Sequence, residues 1–281
     1  MNRLKSIFIS TYLSYTFILS ILSILKFYHS IDYAWLVSAA IHALPVGFVL
    51  RLYLVNTPRT TRRLKTITVA IMALTVSSTM VMQNSASFYS NFFIFILITF
   101  FGWLLYINWY SVLSVENNQL LKIGLSFPNL IFEASETATI TTNEFLGKKT
   151  IYLFYRGNWC PLCMAQIKEL AEEYKQLEDL GAQMVLISPQ PHKNTKQLAK
   201  KHKVSFIFLT DPKGAAAKEL KIEQKNGVPL GMEVFGYSSD TVLPTVVITD
   251  EKGVIRYVNQ TDNYRVRPEP STFLEVIQQT K

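Results

Sequence analysis

Three stretches in the first 115 residues carry no charged side chain: residues 7–25, 33–50 and 66–115. No other feature limits the fold as strongly. About twenty consecutive apolar residues let a helix cross the hydrocarbon core of a bilayer, where each backbone N–H and C=O must find its partner inside the segment. The first two runs have the length of one helix each. The third is long enough for two, divided at the polar Asn84-Ser-Ala-Ser87 and Ser90-Asn91. The expectation is an all-α bundle of four transmembrane helices, at about residues 7–27, 33–55, 66–83 and 92–115, in a membrane domain spanning 1–116. A cleaved signal peptide fits the first run less well, because no small-residue cleavage site follows it and further apolar segments do. Trp103, Tyr106, Trp109 and Tyr110 suit either an interfacial aromatic belt or contacts between helices.

The charge follows the same division. Of a formal +8, residues 1–115 hold eight Lys and Arg against Asp32 alone, a balance of +7, so +1 remains for the rest of the chain. Arg3 and Lys5 precede the first helix, and Arg51, Arg59, Arg62, Arg63 and Lys65 separate the second from the third, whereas the opposite side offers only Lys26. Positive flanks face the cytoplasm. This predicts an integral protein of the inner (cytoplasmic) membrane, with the lipid bilayer as a partner and both termini cytoplasmic. The soluble half has no basic patch interleaved with aromatic residues, which argues against nucleic acid. The run Lys193, Lys196, Lys200, Lys201, Lys203 reads as the solvated face of a short helix. His29 and His42 have neither a carboxylate in the apolar runs nor a second histidine at ligand spacing, and are read as packing residues.

After the polar Glu116-Asn-Asn-Gln119, residues 117–281 suffice for one domain with its own core. A hairpin over 129–132 and 138–141 is expected first, followed by strands at 151–155, 184–188, 206–209, 245–249 and 254–258. Helices are expected after the first of these strands, in the Lys-rich segment, at 214–220 and from about Ser271. The alternation predicts an α/β fold, a mixed sheet flanked by helices. Segment 223–241, with Val228, Leu230, Met232, Val234, Phe235 and Tyr237, reads either as a binding loop beside a site or as a loop packed on the fold's own edge.

The chain has two cysteines, Cys160 and Cys163. They stand where the β-branched and aromatic run 151–155 is broken by Gly157 and Asn158, and where Pro161 suits a first helical position. Ile167, Leu170, Tyr174 and Leu177 then recur at helical spacing up to Gly181. A thiol at a helix N-terminus faces unpaired N–H groups and the positive end of the dipole, which predicts a lowered pKa for Cys160. Cys163, one turn on, shares that face, so the pair can close a reversible Cys160–Cys163 disulfide. Zinc lacks ligands, since the spacing of His192 and His202 fits no usual metal motif. A purely structural disulfide would close a tiny loop and sit badly in a reducing cytoplasm.

The strings FYRGNWCPLC, VLISPQ, LTDPKG, LPTVVITDEKGVIRY and DNYRVRPEP occur in that order. Together they resemble the redoxins, the AhpC/TSA peroxiredoxin-like proteins of thioredoxin fold. The likeness covers about residues 124–278 and says nothing of the first 115. It implies a thioredoxin-like redoxin domain over 117–281 and a thiol-based oxidoreductase of antioxidant type. It also implies a cis Pro244, in Leu243-Pro244-Thr245, beside the dithiol. The family holds disulfide oxidoreductases and peroxidases, which use the sulfurs differently. In dithiol exchange Cys160 attacks and Cys163 resolves. In peroxiredoxins the attacking cysteine stands three residues after a threonine, which makes Cys163 the attacker and puts Cys160 in the threonine's place. That replacement, and the lack of an arginine near Pro244, rank a membrane-anchored thiol-disulfide oxidoreductase first, a thiol-dependent peroxidase second and a non-enzymatic redox sensor or scaffold third. Arg156 and Arg256 are the arginines that could compensate. The expected site is Cys160 and Cys163, supported by Arg156, Trp159, Pro161, Pro244 and Thr245. No cofactor and no metal is implied beyond the dithiol. The implied partners are a protein disulfide or peroxide and an external thiol reductant.

Overall fold

The computed structural model describes residues 2–82, 88–115, 118–202 and 204–280. The expected divider at 84–87, Glu116, Asn117 and Lys203 lie outside them. The uncharged runs form four helices: α1 (Asn2–Ser30), α2 (Ala34–Leu54), α3 (Lys65–Met82) and α4 (Phe88–Leu105), the last prolonged by a π-helical turn, Tyr106–Tyr110. Asp32 starts α2 by accepting the Ala34 N–H at 3.0 Å. Helix α2 runs unbroken through Pro45. Among the described residues three stretches, Asn2–Ser30, Ala34–Leu54 and Phe92–Tyr110, are long and apolar enough to cross a membrane; Lys65–Met80 is apolar but shorter.

Polar groups inside the bundle pair with one another, as burial demands. Ser23 meets Ser38 at 3.1 Å, the Tyr12 hydroxyl donates to Thr99 O at 2.9 Å, and His42 Nδ1 lies 2.6 Å from Thr99 Oγ1. Helices α1 and α4 touch closely where Gly102 leaves room, since a Cβ there would fall 2.3 Å from the Tyr12 ring. Trp103, Tyr106 and Tyr110 are buried and stack in sequence at 5.3 and 5.6 Å, so these three are packing contacts rather than a lipid-facing belt. The helix ends at Tyr110 and not near 115 because Val112 bridges Asn263 and the Leu113 N–H donates to Asp262 O at 2.7 Å.

The C-terminal domain is an α/β unit. Its strands are β1 (Ile131–Glu133), β2 (Thr139–Thr141), β3 (Lys149–Phe154), β4 (Ala182–Ser188), β5 (Ile207–Thr210), β6 (Glu223–Gln224), β7 (Thr241–Val242), β8 (Thr245–Thr249) and β9 (Ile255–Gln260). Its helices are α5 (Pro161–Asp179), α6 (His192–Lys201), the short α7 (Ala215–Glu219) and α8 (Pro270–Gln279). Seven strands form one mixed sheet in the order β2-β1-β5-β4-β3-β8-β9, and β6 pairs with β7 separately. Strands β3, β4 and β5 are parallel and β8 is antiparallel to β3, with Ile151 opposite Met184 on one side and Ile248 on the other. These central strands are buried almost throughout, which is why their sequences read as continuous apolar runs and not as alternations. The β8–β9 turn is held by Asp250, whose carboxylate accepts the Lys252 and Val254 N–H groups and the Arg256 guanidinium at 2.7 Å.

The domain is fastened to one end of the bundle. Arg265, fully buried, donates to Ser111 Oγ (3.0 Å), Thr60 Oγ1 (3.1 Å), Thr61 O (2.8 Å) and Arg62 O (2.8 Å). Arg59 pairs with Glu169, and Arg62 with Asp262. Ser6 and Ser10 on α1 donate to Val228 O (2.6 Å) and Leu230 O (2.8 Å), and Tyr53 on α2 donates to Trp159 O (2.7 Å). Segment 223–241 therefore lies against α1.

Candidate active site

Strand β3 delivers the chain into a turn that ends at Cys160, and three contacts shape this turn. Gly157 adopts φ +141, where a Cβ would also come within 2.8 Å of Trp159 Nε1. Gln190, just after β4, accepts the Asn158 N–H at 2.8 Å and donates to the Tyr155 hydroxyl at 3.0 Å and to Thr195 Oγ1 at 3.2 Å. Thr241 donates to Arg156 O at 2.8 Å. Cys160 is the N-cap of α5, Pro161 opens the helix, and Cys163 sits in its first turn.

Both thiols are free, and each is about 1 % exposed. Their electrostatics differ from the sequence expectation. Burial pushes the Cys160 thiol well above its ordinary value, and its hydrogen bond to the Cys163 sulfur, with Cys160 as donor, pushes it further. Burial acts the same way on Cys163. There it is outweighed by the hydrogen bond from Cys160, the Arg267 guanidinium and the Arg156 backbone N–H, which bring Cys163 down to about 6. The balance of these effects favours a thiolate on Cys163 over one on Cys160. The α5 dipole does reach Cys160, but a buried thiol beside an anion holds its proton.

Arg267 was not legible as a site residue. Its Nη2 lies 3.5 Å from Cys163 Sγ, and its Nε donates to Tyr264 O at 3.0 Å. Arg256, expected as a possible substitute, is engaged by Asp250 instead. Arg156 stacks on Trp159 (4.6 Å to the ring centroid) and Tyr264 (5.5 Å), and its Nη2 donates to Gly227 O at 2.6 Å. Cys160, Cys163, Arg156, Trp159 and Pro161 lie together where β3 passes into α5.

The cis form expected of Pro244 needs correction. Among the described residues no peptide bond is cis. Leu243 N–H donates to Ile222 O at 2.7 Å, which carries the chain extended from β7 into β8 with Pro244 in the trans form that X–Pro bonds ordinarily prefer. Thr245 pairs with Phe154 across β3, and its hydroxyl donates back to Leu243 O at 3.0 Å, not to a sulfur.

Above Cys160 lies a cavity of about 180 Å³ between the bundle and the domain, walled by α1, α2 and the Tyr106–Tyr110 turn on one side and by Arg156, Trp159, Cys160 and Tyr264 on the other. Pro229 and Met232, from segment 223–241, also line it. The segment is thus beside the site.

The family model of AhpC/TSA matches residues 123–258. The C-terminal domain is redoxin-like. The matched span stops short of Arg265 and Arg267. The chain is similar to chloroplastic peroxiredoxin Q of Populus jackii, 28% identical over 149 residues, 52% of this chain and 64% of that protein. It is also similar to peroxiredoxin Q of Triticum aestivum, 28% identical over 133 residues, 47% of this chain and 55% of that one. Peroxiredoxin Bcp of Bacillus subtilis is 22% identical over 125 residues, 44% of this chain and 78% of its own. The chain spans less than two thirds of the two plant proteins. Among solved structures, reduced Prx3 from Vibrio vulnificus superimposes with a TM-score of 0.48 at 18% identity, covering 56% of this chain and 98% of its own.

Proposed function

We propose that the chain is a membrane-anchored, thiol-dependent peroxidase of redoxin type, with Cys163 as the attacking thiolate and Cys160 as the resolving thiol. The observation that carries this reading is the convergence of Arg267 Nη2, the Cys160 thiol and the Arg156 N–H on the Cys163 sulfur. Two features rank disulfide exchange first in the sequence, Cys160 in the threonine's place and no arginine near Pro244; Arg267 answers the second by bringing that charge from another part of the chain.

The Cys163 thiolate attacks the terminal oxygen of a peroxide ROOH. An S–O bond forms as the O–O bond breaks, and RO⁻ departs, stabilised by the guanidinium, and takes a proton from solvent to leave as ROH. Cys163 is then a sulfenic acid. The Cys160 sulfur attacks it, the S–S bond forms, and the hydroxyl leaves with the Cys160 proton as water. Two electrons pass from the dithiol to the peroxide, and an external thiol reductant resets the pair. The uncharged helices and basic flanks support anchoring by four crossings of the inner membrane, with the redoxin and both termini cytoplasmic.

A second reading, thiol–disulfide exchange led by Cys160, is favoured by one observation: Cys160 lines the cavity. The test is the full chain in phospholipid vesicles, comparing peroxide consumption with protein-disulfide reduction for Cys160→Ser and Cys163→Ser. The peroxidase reading expects Cys163→Ser to abolish the first reaction of the thiol with peroxide and Cys160→Ser to retain it for a single turnover. Loss of disulfide reduction in Cys160→Ser, with no peroxide reaction in the parent, would establish exchange.

A further inference from the structure

We propose that the loop 230–235 of the C-terminal domain enters the cytoplasmic face of the bilayer, so that this domain, and not the bundle alone, contacts lipid. This rests on the reading of the bundle as membrane-spanning and adds a lipid-binding surface to it. The loop is apolar and faces outward: Leu230 is 51 % exposed, Val234 86 % and Phe235 70 %. Apolar side chains exposed singly are ordinary, whereas three within six residues of one loop call for a partner. The carboxylate among them, Glu233, folds back to accept the Gly231 N–H at 2.8 Å. Gly231 and Gly236, at φ +96 and +86, bound the tight turn Met232–Phe235 that carries Val234 and Phe235.

Lipid is the partner that fits because of the height at which α1 holds this loop. Ser10 Oγ donates to Leu230 O at 2.8 Å, and the Leu230 N–H donates to Ser6 O at 3.3 Å. The uncharged run of α1 covers residues 7–25, and Lys26 closes it on the far side. Along the helix axis Ser10 and Ser6 stand about 24 and about 30 Å from Lys26, and the hydrocarbon core is about 30 Å thick. Leu230 is therefore fixed at the cytoplasmic boundary of that core. Helix α2 gives the same level independently. Tyr53, which donates to Trp159 O at 2.7 Å, follows closely on Arg51, the charge that ends the second uncharged run. The bonds from the Met232 N–H to Pro229 O and from the Gly236 N–H to Glu233 O keep the loop compact. At about 2 Å per residue, Phe235 stays within about 10 Å of Leu230, which is the depth over which interfacial apolar side chains bury themselves between headgroups and acyl chains.

The experiment uses the full chain in phosphatidylcholine vesicles, with both native cysteines replaced by serine and one new cysteine carrying an environment-sensitive fluorophore. Phe235→Cys and Val234→Cys report the loop, and Ile18→Cys reports the middle of α1. Lys252→Cys is the aqueous control, in the β8–β9 turn at the end of β3 away from Cys160. Lipids with a nitroxide either near the headgroup or deep in the acyl chain serve as quenchers. The expected result is that both loop labels are quenched at least about twofold more than the Lys252 label, and more by the shallow nitroxide than by the deep one. The Ile18 label should show the opposite order. Adding Phe235→Asp to the Val234→Cys chain should lower its quenching at least about twofold, because a carboxylate resists leaving water. Quenching that this change does not move would mean that the fluorophore, and not Phe235, holds the loop in lipid, and would overturn the proposal. Loop labels as unquenched as Lys252, beside a quenched Ile18, would also overturn it while leaving the spanning helices intact. An unquenched Ile18 would remove the membrane-spanning reading itself, and the proposal with it.

Discussion

Arg267→Gln removes the guanidinium that lies 3.5 Å from Cys163 Sγ and keeps a neutral side chain in the same buried place. At that distance and an effective dielectric constant near 20, the lost attraction is at most about 5 kcal/mol, equivalent to about three pKa units. Opposite charges this close usually shift a pKa by about one to three units. Cys163, held at about 6 in the parent, should therefore rise to roughly 7–9. At pH 7 its thiolate fraction falls from about nine tenths to between roughly one half and one hundredth, and the peroxide rate falls about 2- to 100-fold with it. The sign follows from the thiolate being the nucleophile: the parent loses rate as pH falls through 6, and the variant should lose it at higher pH. Raising the pH above the new value should restore thiolate. Any deficit that persists there measures the help Arg267 gives to the departing oxygen. The assay is the second-order rate of peroxide oxidation against pH, with thiolate ultraviolet absorbance as an independent titration. An acid limb that stays near pH 6 in Arg267→Gln would refute the assignment of this arginine.

Two further outcomes test the assembly. Arg265→Met leaves the carbonyls of Thr61 and Arg62 and the Ser111 hydroxyl without their buried donor, which should cost about 1–3 kcal/mol for each group left unpaired and expose the α2–α3 connection to limited proteolysis at lower temperature than in the parent; unchanged protection would mean that Arg265 does not fasten the domain. A reporter fused after Lys281 should behave as cytoplasmic, and a signal from the opposite side would overturn either the four crossings or their orientation.

The helices and strands were largely legible because uncharged runs and β-branched runs have few alternatives. What escaped the sequence was the interface between the two parts. Trp103, Tyr106 and Tyr110 look like a membrane belt in one dimension, yet they stack inward, and the Tyr106 hydroxyl meets the Tyr264 hydroxyl at 2.6 Å. The same interface changes the thiol chemistry. A free helix N-terminus favours a Cys160 thiolate, but the bundle covers Cys160, so desolvation and its neighbour decide the matter. Arg267 is 104 residues from Cys163 along the chain, and no spacing rule joins them. The motif DNYRVRPEP signalled a family tail without revealing that its first arginine pins the bundle and its second meets the sulfur. Pro244 shows the opposite error, a family feature carried to a position where β7 already keeps the chain extended.

The central claim is that Cys163 is the sulfur that peroxide meets. It is tested most directly by treating Cys160→Ser and Cys163→Ser, in vesicles, with one equivalent of peroxide and trapping sulfenic acid with a dimedone-type reagent before mass analysis. The account predicts stoichiometric label on Cys163 in Cys160→Ser and none on Cys160 in Cys163→Ser. Label on Cys160 in Cys163→Ser, formed at a rate comparable to the parent's oxidation, would contradict it.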